Sequence, residues 1–130
     1  MSPTILLIED NEQNRYLATF LLERHGYAVV AAPDGPQGIA LARSVAATLI
    51  LLDIQLPGMD GYAVAQALRE IPSLHETPVI AVTSYAMVGD RERALAAGCN
   101  GYIEKPINPE TFVREIERFI APPPAGPAAP

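Results

Sequence analysis

Asp53 stands at the end of an uninterrupted aliphatic run, in LILLDIQLPGMDG over residues 49–61, and a Pro-Gly turn follows it. A carboxylate where a buried strand leaves its core is placed for chemistry, because ligands of open parallel α/β sheets bind outside the carboxyl ends of the strands. Three further apolar runs end in polar groups. Residues 4–8 lead into Glu9 and Asp10, residues 79–82 into Thr83 and Ser84, and residues 101–103 into Glu104, Lys105 and Pro106. If the first and third runs are neighbours, Glu9, Asp10 and Asp53 crowd one small volume. Two unit charges ~5 Å apart at an effective dielectric of ~20 repel by roughly 3 kcal/mol, so three ionised carboxylates there require a cation. Magnesium suits best, since it binds through one or two carboxylates, keeps several waters and leaves positions for a phosphate oxygen. A carboxylate beside a metal can attack phosphorus and form an acyl phosphate, with Asp53 as the nucleophile. The Lys105 ammonium and the Thr83 hydroxyl would then neutralise the equatorial oxygens of the transferred group. Taken singly, Thr83 reads as a β-branched residue closing a strand and Lys105 as a solvated charge. Their joint placement after successive apolar runs is what points to a phosphoryl site.

The elements that position these groups follow from periodicity. Continuous apolar runs of strand length read as strands buried on both faces, and residues 27–31 supply a fifth. Between them lie stretches of helical period, each ended by a breaker. Residues 11–25 place Tyr16, Leu17, Phe20 and Leu21 on one face before Gly26; residues 37–44 form a shorter, alanine-rich helix. Residues 60–71 carry Ala63, Val64, Ala67, Leu68 and Ile71 as a stripe ended by Pro72, and residues 90–97 stop at Gly98. The last helix, residues 108–120, opens with Asn108 as cap and Pro109 at the first helical position, and turns Phe112, Ile116, Phe119 and Ile120 inward. Five strands alternating with five helices predict an α/β, doubly wound parallel sheet with helices on both faces.

Composition bounds the function classes. The 130 residues suffice for one domain with a sizeable core, and we assign residues 1–121 to it and 122–130 to an extended Pro/Ala-rich tail. A net charge of −6 gives no electrostatic footprint for nucleic acid. The apolar run after Met1 is too short for a signal peptide or a membrane span, and Cys99, the single cysteine, excludes an internal disulfide. We therefore expect a cytoplasmic protein that binds neither nucleic acid nor membrane. Cys99 reads as a small buried side chain, and His25 and His75 have no partners at metal-ligand spacing.

The EDN at residues 9–11, LLDIQLPGMDGY around Asp53, AVTSYAM from Ala81 and GYIEKPI from Gly101 together resemble the receiver domain of two-component response regulators. The resemblance runs from about Thr4 to Ile120; its wording particularly resembles DivK-like single-domain regulators, and it also resembles receivers attached to hybrid histidine kinases. It implies a flavodoxin-like sheet of order 2-1-3-4-5 and phosphorylation of Asp53 by a sensor histidine kinase or phosphotransfer protein. Asp10 would bind magnesium directly, Glu9 through water, and Gln55 through its backbone carbonyl. Lys105 would pair with the phosphoryl group, and the Lys105–Pro106 bond would be cis. Thr83 and Tyr102 match the switch pair, with the readout surface on the fourth helix, fifth strand and fifth helix. Gln55 and Tyr85 flank the path of an attacking water, and bulk at Tyr85 would slow hydrolysis. Glu9 departs from the aspartate common at its position, which bears on metal affinity.

The resulting expectation is a stand-alone phosphoacceptor that signals by docking to a downstream protein, and not an enzyme with a separate substrate. A receiver module belonging to a hybrid histidine kinase is the nearer alternative. A phosphatase of the haloacid dehalogenase type is the distant one, since it needs a second acid two residues after the nucleophile and Gln55 stands there.

Overall fold

A computed structural model describes residues 3–84 and 89–120, so the expectations for Tyr85 and for the tail at 122–130 fall outside the described residues. Five strands are present among them: β1 (Thr4–Ile8), β2 (Ala28–Ala32), β3 (Leu49–Asp53), β4 (Val79–Thr83) and β5 (Gly101–Glu104). Five helices alternate with them: α1 (Glu12–Arg24), α2 (Gly35–Ser44), α3 (Gly61–Arg69), α4 (Asp90–Ala96) and α5 (Phe112–Glu117), with a 3-10 turn at Pro72–Leu74. The sheet is wholly parallel with order β2-β1-β3-β4-β5, as expected.

Alternation along the central strands divides the core into two. Ile5, Leu7, Leu49, Leu51, Ile80 and Val82 face α1 and α5, while Leu6, Ile8, Ile50, Leu52 and Ala81 face α2, α3 and α4. All five residues of β3 and of β4 are buried, which is why those strands read as unbroken apolar runs. The chain reverses its direction of travel across the sheet between β1 and β3. A crevice opens at such a switch point, outside the carboxyl ends of the two strands.

Three sequence expectations require correction. The face of α1 that packs inward is Ala18, Leu21 and Leu22, whereas Tyr16 is 74 % exposed and Phe20 44 %. α5 begins at Phe112 and not at Asn108. Asn108 does cap a turn, its Oδ1 accepting from Glu110 N–H and its carbonyl from Phe112 N–H, but Thr111 at φ −118° interrupts the helical path. α2 begins earlier than residue 37, because Asp34 accepts from Gln37 N–H as its cap and Pro36 sits in the first turn.

The loop after Asp53 is drawn tightly over the sheet edge. Gly61 N–H donates to the Ile54 carbonyl at 3.2 Å, and a Cβ at Gly61 would lie 2.4 Å from Ile54 Cα. Only glycine permits that approach, so the Pro-Gly turn and the α3 start together fix where the chain goes after Asp53.

Candidate functional site

Glu9 and Asp10 follow β1, Asp53 ends β3, and these strands are hydrogen-bonded neighbours. The three acids therefore meet at the crevice, with one carboxylate oxygen from each within 4.8 Å of the others. The buried polar or charged side chains among the described residues are Glu9 at 3 % exposure, Asp53 at 3 % and Thr83 at 2 %. All three stand at this edge. Buried groups of this kind require compensation, and each has it.

Lys105 supplies the opposing charge. Its Nζ lies 2.9 Å from Glu9 Oε1 and 3.2 Å from Asp53 Oδ2. β5 delivers it there, because Lys105 N–H donates to the Thr83 carbonyl at 2.7 Å, one step beyond the paired strands. The Lys105–Pro106 peptide is cis. Backbone donors hold the remaining oxygens: Asn11 N–H reaches Glu9 Oε2 at 3.0 Å and Gln55 N–H reaches Asp53 Oδ1 at 2.9 Å. Arg15, in the first turn of α1, donates to the Glu9 carbonyl at 2.8 Å and ties the helix to the acidic loop.

Two carboxylates share one ammonium in a dry setting, and the electrostatics show it. Burial pushes the Glu9 carboxyl up to about 7, against the hydrogen bond from Lys105, which favours its ionised form; the neighbouring Asp53 pushes the same way as burial. Desolvation works against the Lys105 ammonium, but its bond to Glu9 and the charges of Asp53 and Glu9 outweigh this and hold its pKa above the ordinary value. Cys99 is buried beneath α4 with its thiol pushed up to about 11 by desolvation, which makes it an unreactive core residue. His25 Nδ1 lies 2.9 Å from the Leu21 carbonyl at the end of α1, a terminus contact remote from this chemistry.

The sequence-derived set thus converges in part. Glu9, Asp10, Asp53 and Lys105 form one cluster, and Thr83 joins it through Gln55. The Gln55 side-chain amide donates to Thr83 Oγ1 at 2.7 Å and accepts from Ser84 N–H at 3.0 Å. Tyr102 lies outside this cluster, half-buried on β5, where its ring packs against the α2, α3 and α4 side of the core. Sequence reasoning missed the Glu9–Lys105 ion pair, the Arg15 tie and the Gln55 side-chain bridge. The acidic signature hinted at the first; nothing local to Gln55 announced the last.

Among the described residues no helix is long and apolar enough to cross a membrane. The polar-differentiation response regulator DivK of Brucella ovis is 40 % identical over 120 residues, spanning 92 % of this chain and 98 % of its own length. In fold, the chemotaxis protein CheY4 of Vibrio cholerae superposes with a TM-score of 0.88 at 27 % identity, covering 92 % of this chain and 99 % of its own. The receiver domain of a sensor histidine kinase from Pseudomonas aeruginosa gives 0.84 at 36 % identity, covering 92 % and 98 %, and that structure has a magnesium ion coordinated in its active-site cleft. The response regulator receiver domain family matches residues 5–117, nearly the whole of the α/β core. A match of that extent, on a chain whose acids and lysine converge as these do, leaves one conclusion: the protein belongs to the response regulator receiver domain family, the phosphoacceptor proteins of two-component signalling.

Proposed function

We propose that Asp53 is the phosphoacceptor of a DivK-like regulator that works in the cytoplasm and signals by phosphorylation-dependent docking. The observation that carries this is the setting of its carboxylate: buried, with one oxygen on the Gln55 N–H, the other on Lys105, and Glu9 and Asp10 close by. In the transfer, an Asp53 oxygen attacks the phosphorus of a phosphohistidine, the O–P bond forms as the N–P bond breaks, and the released imidazole takes up a proton from solvent. Lys105, already 3.2 Å from Asp53, then meets the new phosphoryl oxygens. Histidine kinases or phosphotransfer proteins are the donors that this family membership implies.

The donor set fits a hard divalent cation, since three carboxylates offer oxygens within 4.8 Å of one another. Asp10, Asp53 and the Gln55 carbonyl would hold magnesium, with Glu9 acting through water. When bound, the ion supplies positive charge opposite the transferred group.

The switch in this reading runs from Thr83 to Tyr102, with Gln55 and Tyr85 tuning hydrolysis. The docking face is α4, β5 and α5. Two shallow cavities of about 190 and 390 Å³ support it, because Tyr102, Ile103 and Arg91 line both and a change at Tyr102 would reshape both. DivK relatives are matched over 98 % of their length, which favours signalling by the receiver fold itself.

Incubation of the wild type with magnesium and acetyl phosphate should add one phosphoryl group by intact mass, and Asp53→Asn should add none. Equal uptake by the two proteins would refute the assignment of the acceptor.

A further inference from the structure

We infer that the Gln55 side chain is a latch on the Thr83 hydroxyl, holding it in the resting position and setting how readily phosphorylation throws the switch. The inference rests on the phosphoacceptor reading of Asp53. The geometry begins with the amide's orientation. Ser84 N–H can only donate, so the atom it meets at 3.0 Å is Oε1, and the Gln55 atom 2.7 Å from Thr83 Oγ1 is then the donating Nε2. Gln55 thus grips the hydroxyl and the following backbone amide together, across the gap between the β3 and β4 loops.

Gln55 also touches the acceptor itself. Its backbone N–H donates to Asp53 Oδ1 at 2.9 Å, so one residue contacts both the oxygen to be modified and the hydroxyl that must respond. Thr83 stands one residue beyond Val82, the register partner of Asp53, and is 2 % exposed. Water is therefore poorly placed to replace the Gln55 bond. Threonine is β-branched and moves between discrete χ1 wells; in this proposal the rotation that presents Oγ1 to a phosphoryl group on Asp53 is the one that carries it away from Nε2. The two positions compete. A resting-state bond of this kind lowers the fraction of molecules in the activated arrangement and weakens anything that selects it.

Removing the latch without removing the loop tests this, because a side-chain change leaves the Gln55 carbonyl in place. Beryllofluoride with magnesium is titrated into wild type, Gln55→Met, Gln55→Ala, Gln55→Glu and Asp53→Asn, while NMR follows the Thr83 methyl signal. Gln55→Met keeps the bulk and loses both bonds. It should shift the free-protein Thr83 signal toward its bound position and lower the half-saturating beryllofluoride about fivefold, the scale of one net hydrogen bond. Gln55→Ala should move the same way, and Gln55→Glu, which can still accept from Ser84 N–H and from the Thr83 hydroxyl, should keep the free-protein Thr83 signal nearer the wild type, whereas its added charge opposes the anionic beryllofluoride. If the wild type saturates, Asp53→Asn does not, and Gln55→Met titrates like the wild type with an unmoved Thr83 signal, the latch is wrong and the acceptor reading stands. If Asp53→Asn titrates like the wild type, both fall.

Discussion

Glu9 is held, buried, between the Lys105 ammonium and the neighbouring Asp53 carboxylate. Its longer arm places Oε1 2.9 Å from Lys105, nearer than Asp53 Oδ2 at 3.2 Å, so the lysine is engaged chiefly by an acid other than the acceptor. Burial raises its pKa from 4.5 to about 7, which means that the folded chain binds more protons than the unfolded one between those values. The stabilising effect is complete below about 4.5 and is lost as the pH rises through about 7. Urea unfolding without magnesium should show wild-type stability falling over that window by on the order of 2 kcal/mol relative to Glu9→Gln, which cannot titrate there. Parallel pH curves for the two proteins would contradict this. Asp53 and Lys105 were legible as site residues because each ends an apolar run, and a strand's end is visible in sequence. The Glu9–Lys105 pair and the Gln55 bridge were not, because they depend on how side chains settle once two loops have met.

Helix α1 shows where periodicity misleads. Tyr16, Leu17, Phe20 and Leu21 make a credible apolar stripe, yet Leu22 is fully buried while Tyr16 and Phe20 form an outer ridge. Their rings stack at 6.5 Å, and the Arg24 guanidinium lies 5.6 Å above Phe20, so positions 16, 20 and 24 support one another at four-residue spacing in solvent. The helix has two apolar faces about one residue apart. Packing against β1 and β3 selects the one in which Ala18 allows close approach and Leu21 and Leu22 fill the space beneath. Leu22→Ala should therefore cost about 3 kcal/mol and Phe20→Ser under about 1 kcal/mol by chemical denaturation. The opposite ranking would restore the face suggested by sequence. Element order and type were otherwise plain from the alternation of apolar runs and breakers, whereas the start of α5 was hidden because Asn108 and Pro109 cap a turn that Thr111 then interrupts.

At the scale of the molecule, strand order makes one site from residues far apart in the chain. Neither length nor periodicity specified that β1 would lie between β2 and β3; the family resemblance implied it, and the observed order agrees. From that order follow the switch-point crevice, the meeting of Glu9, Asp10 and Asp53, and the arrival of Lys105 from β5. The central claim is that this convergence makes Asp53 the phosphorylated residue in a magnesium-dependent reaction. Borohydride reduces an aspartyl phosphate to homoserine, so reduction after treatment with acetyl phosphate, followed by tandem mass spectrometry, reads the modified position directly. The account predicts homoserine at residue 53 with magnesium present, and little of it without magnesium or in Asp10→Ala. Modification at another residue, or undiminished modification of residue 53 in the absence of magnesium, would contradict it.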